Sequence, residues 1–111
     1  MNVQTIKALI EERKKLDVND DDRLEEIWKR EAAILTEDIS ETIRFIKLEC
    51  DDETFYWLSE VFDDIARETQ SRAFVEAVRM RLTDVKNSEY KDDIAIDLSF
   101  AEEAINNPGE S

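Results

Sequence analysis

One glycine and one proline occur in 111 residues, and both, Pro108 and Gly109, fall within the last four positions. Tight hairpins are built on residues that tolerate positive φ or fix it near −65°, so a β-sheet has almost no punctuation to use here. Long runs of Glu, Lys, Arg, Leu, Ile and Ala fill the space instead, and these are good helix formers. Charged residues make up 40% of the chain, which alone would suit disorder, but 41% is hydrophobic and those residues recur with helical period. The prediction is an all-α protein: a compact antiparallel bundle of five or six helices in a single domain. Residues 1–105 form that domain, and 106–111, opened by Asn106-Asn107-Pro108-Gly109, form a flexible C-terminal tail.

Periodicity places the helices. Val3, Ile6, Leu9, Ile10 and Leu16 share one face of a first helix from Asn2 to Leu16. A second, from Asp20 to Leu35, buries Leu24, Ile27, Trp28 and Leu35, with acids at its N-terminus where they favour the dipole. Thr36 or Asp38 caps a third, whose stripe is Ile39, Ile43, Ile46 and Cys50. Asp51-Asp52-Glu53 opens a fourth with the core line Phe55, Leu58, Phe62 and Ile65. Ser71 caps a fifth, which runs to Lys86 and buries Phe74, Val75, Val78, Leu82 and Val85. The sixth, Glu89 to Ile105, repeats Tyr90, Ile94, Leu98, Ala101 and Ile105. Ile96 and Phe100 point away from that stripe, and burial on a second side is the expectation for them.

Acids outnumber bases 29 to 15, for a formal charge of −14. Polyphosphate binding rests on Lys and Arg, so this field repels nucleic acid and argues against direct binding to it. A basic partner is attracted, with faster encounter at low salt. Cys50 is the only cysteine, which excludes an internal disulfide and suits a reducing compartment. No charged leader precedes an apolar run, and no segment approaches the ~20 apolar residues of a membrane span. A soluble, cytoplasmic protein with no membrane association is the expectation.

Catalysis finds little to work with. There is no histidine to serve as general base or metal ligand, and no glycine-rich loop to cradle phosphate. Cys50 lies on an apolar stripe, where a small core residue is the simpler reading. Asp17-Val18-Asn19-Asp20-Asp21 opens like a calcium-binding EF-hand loop, but Asp22 stands where Gly is needed and Trp28 where the bidentate Glu belongs. An acidic helix cap explains it. The pairs Glu49 with Asp52, Glu60 with Asp63, and Glu89 with Asp92 each set two carboxylates one turn apart, as magnesium sites of all-helical nucleotide pyrophosphatases require. With 29 acids such pairs arise by chance. No enzyme activity and no cofactor are predicted.

The stretch from Leu48 to Ala66 holds seven acids, no Lys or Arg, and four of the nine aromatic residues. At about 100° per residue, Phe55, Leu58, Phe62 and Ile65 face the core. Tyr56, Trp57, Glu60, Asp63 and Asp64 then share the outer side, with Glu89, Asp92 and Asp93 extending the acidic surface from the last helix. Aromatic anchors ringed by charge are typical of binding surfaces. The competing reading packs Tyr56 and Trp57 against the third or fifth helix. If the surface binds, reversing Glu60 and Asp63 to Lys slows association.

Cys50 through Ile65, then Thr69-Gln70-Ser71, then Ser99-Phe100-Ala101-Glu102-Glu103-Ala104, resembles small all-helical bacterial immunity proteins of contact-dependent growth inhibition and related polymorphic toxin systems. The resemblance covers about half of the chain, and residues 2–35 add nothing to it. It implies a cytoplasmic inhibitor that binds one cognate toxin domain, frequently a nuclease with a basic surface, and blocks it. It carries over no catalytic residues. A non-catalytic helical adaptor, dimeric through Ile96 and Phe100, and the magnesium-dependent pyrophosphatase are the alternatives.

Overall fold

The computed structural model describes residues 1–106. The helices are α1 (Val3–Lys15), α2 (Asp21–Glu37), α3 (Ile39–Leu48), α4 (Asp52–Leu58), α5 (Phe62–Thr69), α6 (Arg72–Leu82) and α7 (Ser88–Asn106), with a 3-10 turn at Ser59–Val61 joining α4 to α5. No strand occurs among the described residues. The tail predicted for 106–111 lies outside the described residues, apart from Asn106, which ends α7.

Local chemistry starts most of these helices. The side chains of Asn2, Asp38, Asp51 and Ser71 accept from the backbone N–H three residues on, and so satisfy donors that the helix leaves unpaired. Asp38, not Thr36, caps α3. Gln70 ends α5 in the left-handed region at φ 52°, and its amide donates to the carbonyls of Arg67 and of Ala104 on α7. That second bond ties a helix end to a distant element, which helps hold a conformation unfavourable for a residue other than glycine.

Two predicted boundaries change. The fourth helix breaks into α4, the 3-10 turn and α5. Ser59 Oγ lies 2.6 Å from the Tyr56 carbonyl and 2.9 Å from a carboxylate oxygen of Asp97 on α7. A hydroxyl that bonds back to its own helix loosens the backbone ladder, and the tighter turn follows. The break also rotates Val61 inward, so that Phe55, Leu58, Val61, Phe62, Ile65 and Ala66 are all fully buried. The fifth helix stops at Leu82, before the predicted Lys86, although Val85 remains buried in the turn that follows.

The stripe of α3 is rotated as well. Thr42, Phe45 and Ile46 are buried, while Ile39, Ile43 and Cys50 are partly covered. Thr42 turns inward because its hydroxyl donates to the Leu35 carbonyl at 2.8 Å, closing the end of α2. At the centre, Phe62 packs against Phe55 at 5.4 Å and edge-on to Phe74 at 5.6 Å. α7 lies across α5 and α6, α3 against α6, and α1 against α2 and α4. The Cα radius of gyration of 13.3 Å matches the ~13 Å of a single domain this long.

Candidate functional site

The acid-rich stretch at 48–66 is not left uncompensated. Asp51 is spent as the cap of α4. Asp52 takes the guanidinium of Arg81 at 2.8 Å and the backbone N–H of Lys86. Glu53 pairs with Lys14 at 3.1 Å, while Asp63 and Asp64 share Arg67. Glu60 receives Arg13 through two nitrogens, Nε at 2.9 Å and Nη2 at 2.7 Å, and also the Trp28 indole N–H at 2.9 Å. Both partners of the Arg13–Glu60 pair are largely shielded from water, so this bidentate contact is stronger and less screened than the others.

Each aromatic of the stretch is engaged too. The Tyr56 ring stacks on Tyr90 at 4.2 Å with 16° between planes, and its hydroxyl points to Asp93 at 3.4 Å. Burial and the Asp93 carboxylate raise its pKa. Trp57 is half-buried, edge-on to Tyr56, with the Arg13 guanidinium 5.2 Å above its ring. Tyr56 therefore packs on α7 and Trp57 on α1, neither against the third or fifth helix of the sequence reading.

The surface expected to unite Tyr56, Trp57, Glu60, Asp63 and Asp64 is divided in the fold. Tyr56 and Glu60 line a groove with Ser59, Asp93, Ile96 and Asp97. Trp57 lines another with Lys7, Lys14 and Glu53. Asp64 faces a third with Trp28, Lys29 and Arg67. The bend at Ser59–Val61 and the arrival of Arg13 between Trp57 and Glu60 separate them.

On α7, Glu89, Asp92 and Asp93 are exposed and make no ion pair among the described residues. Of these three, Asp93 meets Tyr56 and lines the Tyr56 groove. Asp97, half-buried at its floor, has its pKa raised by burial, opposed by the Ser59 hydroxyl and reinforced by Glu60, Asp63 and Asp93. Ile96 is 55% exposed and Phe100 52%, which corrects the expectation that this pair is buried. Among the described residues no helix covers these two side chains.

Sequence reasoning missed Arg13, Glu31 and Asp97, and it placed Trp28 in the core without its bond to Glu60. Glu31 is 1% exposed, and its Oε1 has no hydrogen-bond partner among the described residues. Burial, reinforced by the charge of Glu60 and opposed by Arg13, pushes its pKa up to about 8. One signal was legible: Glu31 stands four residues from both Ile27 and Leu35, in the middle of the apolar stripe of α2.

Chemically the arrangement is poor in reactive groups. The Cys50 thiol is pushed up to about 11, chiefly by burial, so it is not a thiolate at neutral pH. No group of three or more potential ligands among the described residues is placed to hold a metal ion. Asp52 and Glu60, one from each of two sequence-adjacent acid pairs, are bound to guanidinium groups instead. No helix among the described residues is long and apolar enough to cross a membrane. No family model, no curated protein and no solved structure matches the chain.

Proposed function

We propose that this chain is a non-catalytic binding protein that neutralises a basic toxin domain, in the manner of the immunity proteins its second half resembles. The observation that carries the reading is the unpaired row Glu89, Asp92 and Asp93 beside the stacked Tyr56–Tyr90 pair. Carboxylates without a cationic partner keep their charge uncompensated for an incoming cation, and stacked tyrosines give rigid contact area at low entropic cost. A nuclease suits this surface best among toxins, because a site that binds polyphosphate is itself rich in Lys and Arg. Inhibition is steric and electrostatic: the acidic face covers the active site or substrate groove in the cytoplasm, where such a toxin acts.

The test is co-expression with the product of the adjacent reading frame. The expected result is relief of that product's growth inhibition and recovery of a one-to-one complex. Inhibition that persists at full expression of the chain overturns the reading. The exposed Ile96 and Phe100 favour a second reading, an adaptor that dimerises through them, and sedimentation distinguishes it.

A further inference from the structure

α7 is 19 residues long and has two faces. Ile94, Leu98, Ala101 and Ile105 are buried against the core. On the opposite side, Glu89, Asp92, Asp93, Ile96, Phe100 and Glu103 fall within an arc of about 100° at 100° per residue. All six are exposed. The arc contains no Lys or Arg, and none of its four acids pairs with a cation among the described residues. Two large apolar side chains one turn apart are thus rimmed by uncompensated negative charge along a ridge about 20 Å long.

We infer that this ridge is the docking face for a cationic amphipathic segment of the partner, with Ile96 and Phe100 as apolar anchors and Glu89, Asp92, Asp93 and Glu103 as its charged rim. The inference rests on the binding reading above and centres the interface on the outward ridge of α7, not on the α4–α5 stretch to which the sequence pointed. Charge selects the occupant. An apolar strip of two side chains is small, and a second copy would bring an identical acidic rim against this one in a molecule already at −14. A segment with Lys or Arg flanking an apolar stripe gains the contacts at both levels and is drawn in from a distance. The adjoining Tyr56 groove, with Asp93, Asp97 and Ile96 in its lining, continues the same surface toward α4.

The test uses the full chain and two designed helical peptides of about five turns. Both carry one leucine stripe; one is flanked by Lys and Arg, the other by Glu. Binding is measured by calorimetry and backbone amide shifts at about 0.15 M salt, where the Debye length is about 8 Å. The cationic peptide is expected to bind, with shift changes concentrated on residues 89–103. Ile96→Ser with Phe100→Ser should weaken it by about tenfold or more, since both anchors are lost. Neutralising Glu12, Glu25 and Glu37 to Gln, three exposed acids elsewhere, should change it by less than about twofold. The inference is overturned if those control substitutions weaken binding as much as the ridge pair, if the shifts spread over all faces, or if the acidic peptide binds equally well. It is also overturned if sedimentation finds a dimer that the ridge pair abolishes. The two failures are distinguishable: a toxin from the adjacent frame that is neutralised equally by the ridge variant leaves the functional reading standing and removes this inference. Specific ridge binding without any neutralisation does the reverse.

Discussion

Glu31 lies inside α2 with one carboxyl oxygen unmet, while its neighbour Glu60 takes both the Arg13 guanidinium and the Trp28 indole N–H. Two carboxylates so near one cation cannot both remain charged at low cost, and the one with less solvent and no donor keeps its proton. Its pKa moves from the ordinary 4.5 to about 8. The folded state therefore binds a proton that the unfolded state has released across that interval, so this group stabilises fully below about pH 4.5. As pH rises toward 8 its contribution is lost, at up to about 1.4 kcal/mol per pH unit. Glu31→Gln removes the titration. Its unfolding free energy should vary less with pH between 5 and 8 than that of the native chain, and the difference between the two should grow steadily toward pH 8. Parallel stability profiles from urea unfolding at several pH values would show that Glu31 is ionised in the fold.

At the level of the element, caps were readable because they are local. Asp51 and Ser71 act within three residues of themselves, so their side-chain type and position sufficed, whereas for α3 the sequence offered both Thr36 and Asp38. Ser71→Ala should cost about 1 kcal/mol, read as a fall in Tm of about 4–8 °C. An unchanged Tm would mean that α6 is held in place by Phe74 and Val78 alone. The break at Ser59–Val61 was not readable, since half of its cause is Asp97 on another helix. The outward face of α7 was read as buried for a similar reason. An apolar pair beyond the main stripe marks a second contact in many bundles, and only the packing of the other helices leaves this one open.

For the molecule as a whole, the net charge of −14 says little about where a partner is steered. Four cations, Arg13, Lys14, Arg67 and Arg81, answer the acids of 52–64, and exposed pairs among them screen the field even where they add little stability. On the binding reading proposed above, the uncompensated row at 89–93 is the steering element. Replacing Glu89 with Gln and Asp92 and Asp93 with Asn should slow association with a basic partner several-fold at low salt and flatten its salt dependence, with a smaller effect on dissociation. Stopped-flow rates at two or more ionic strengths check this, and an unchanged association rate counts against the α7 row. Reversing Glu60 and Asp63, the change the sequence suggested, is a worse probe. It strips Arg13 and Trp28 of their acceptor and so alters the fold along with the surface charge.

The all-helical class, six of the seven helix starts to within a few residues, the caps Asp51 and Ser71 and the main core lines follow from residue order alone. Each depends on spacings of three or four along a single helix. Tertiary structure alone decided which charges remain available. Arg13 stands 47 residues from Glu60 and Arg81 stands 29 from Asp52, so no local pattern announces either pairing. A chain folds its distant cations onto whichever acids the packing brings near, and here that silenced the densest acidic stretch. The sparser row on α7, with Ile96 and Phe100 beside it, was left facing water.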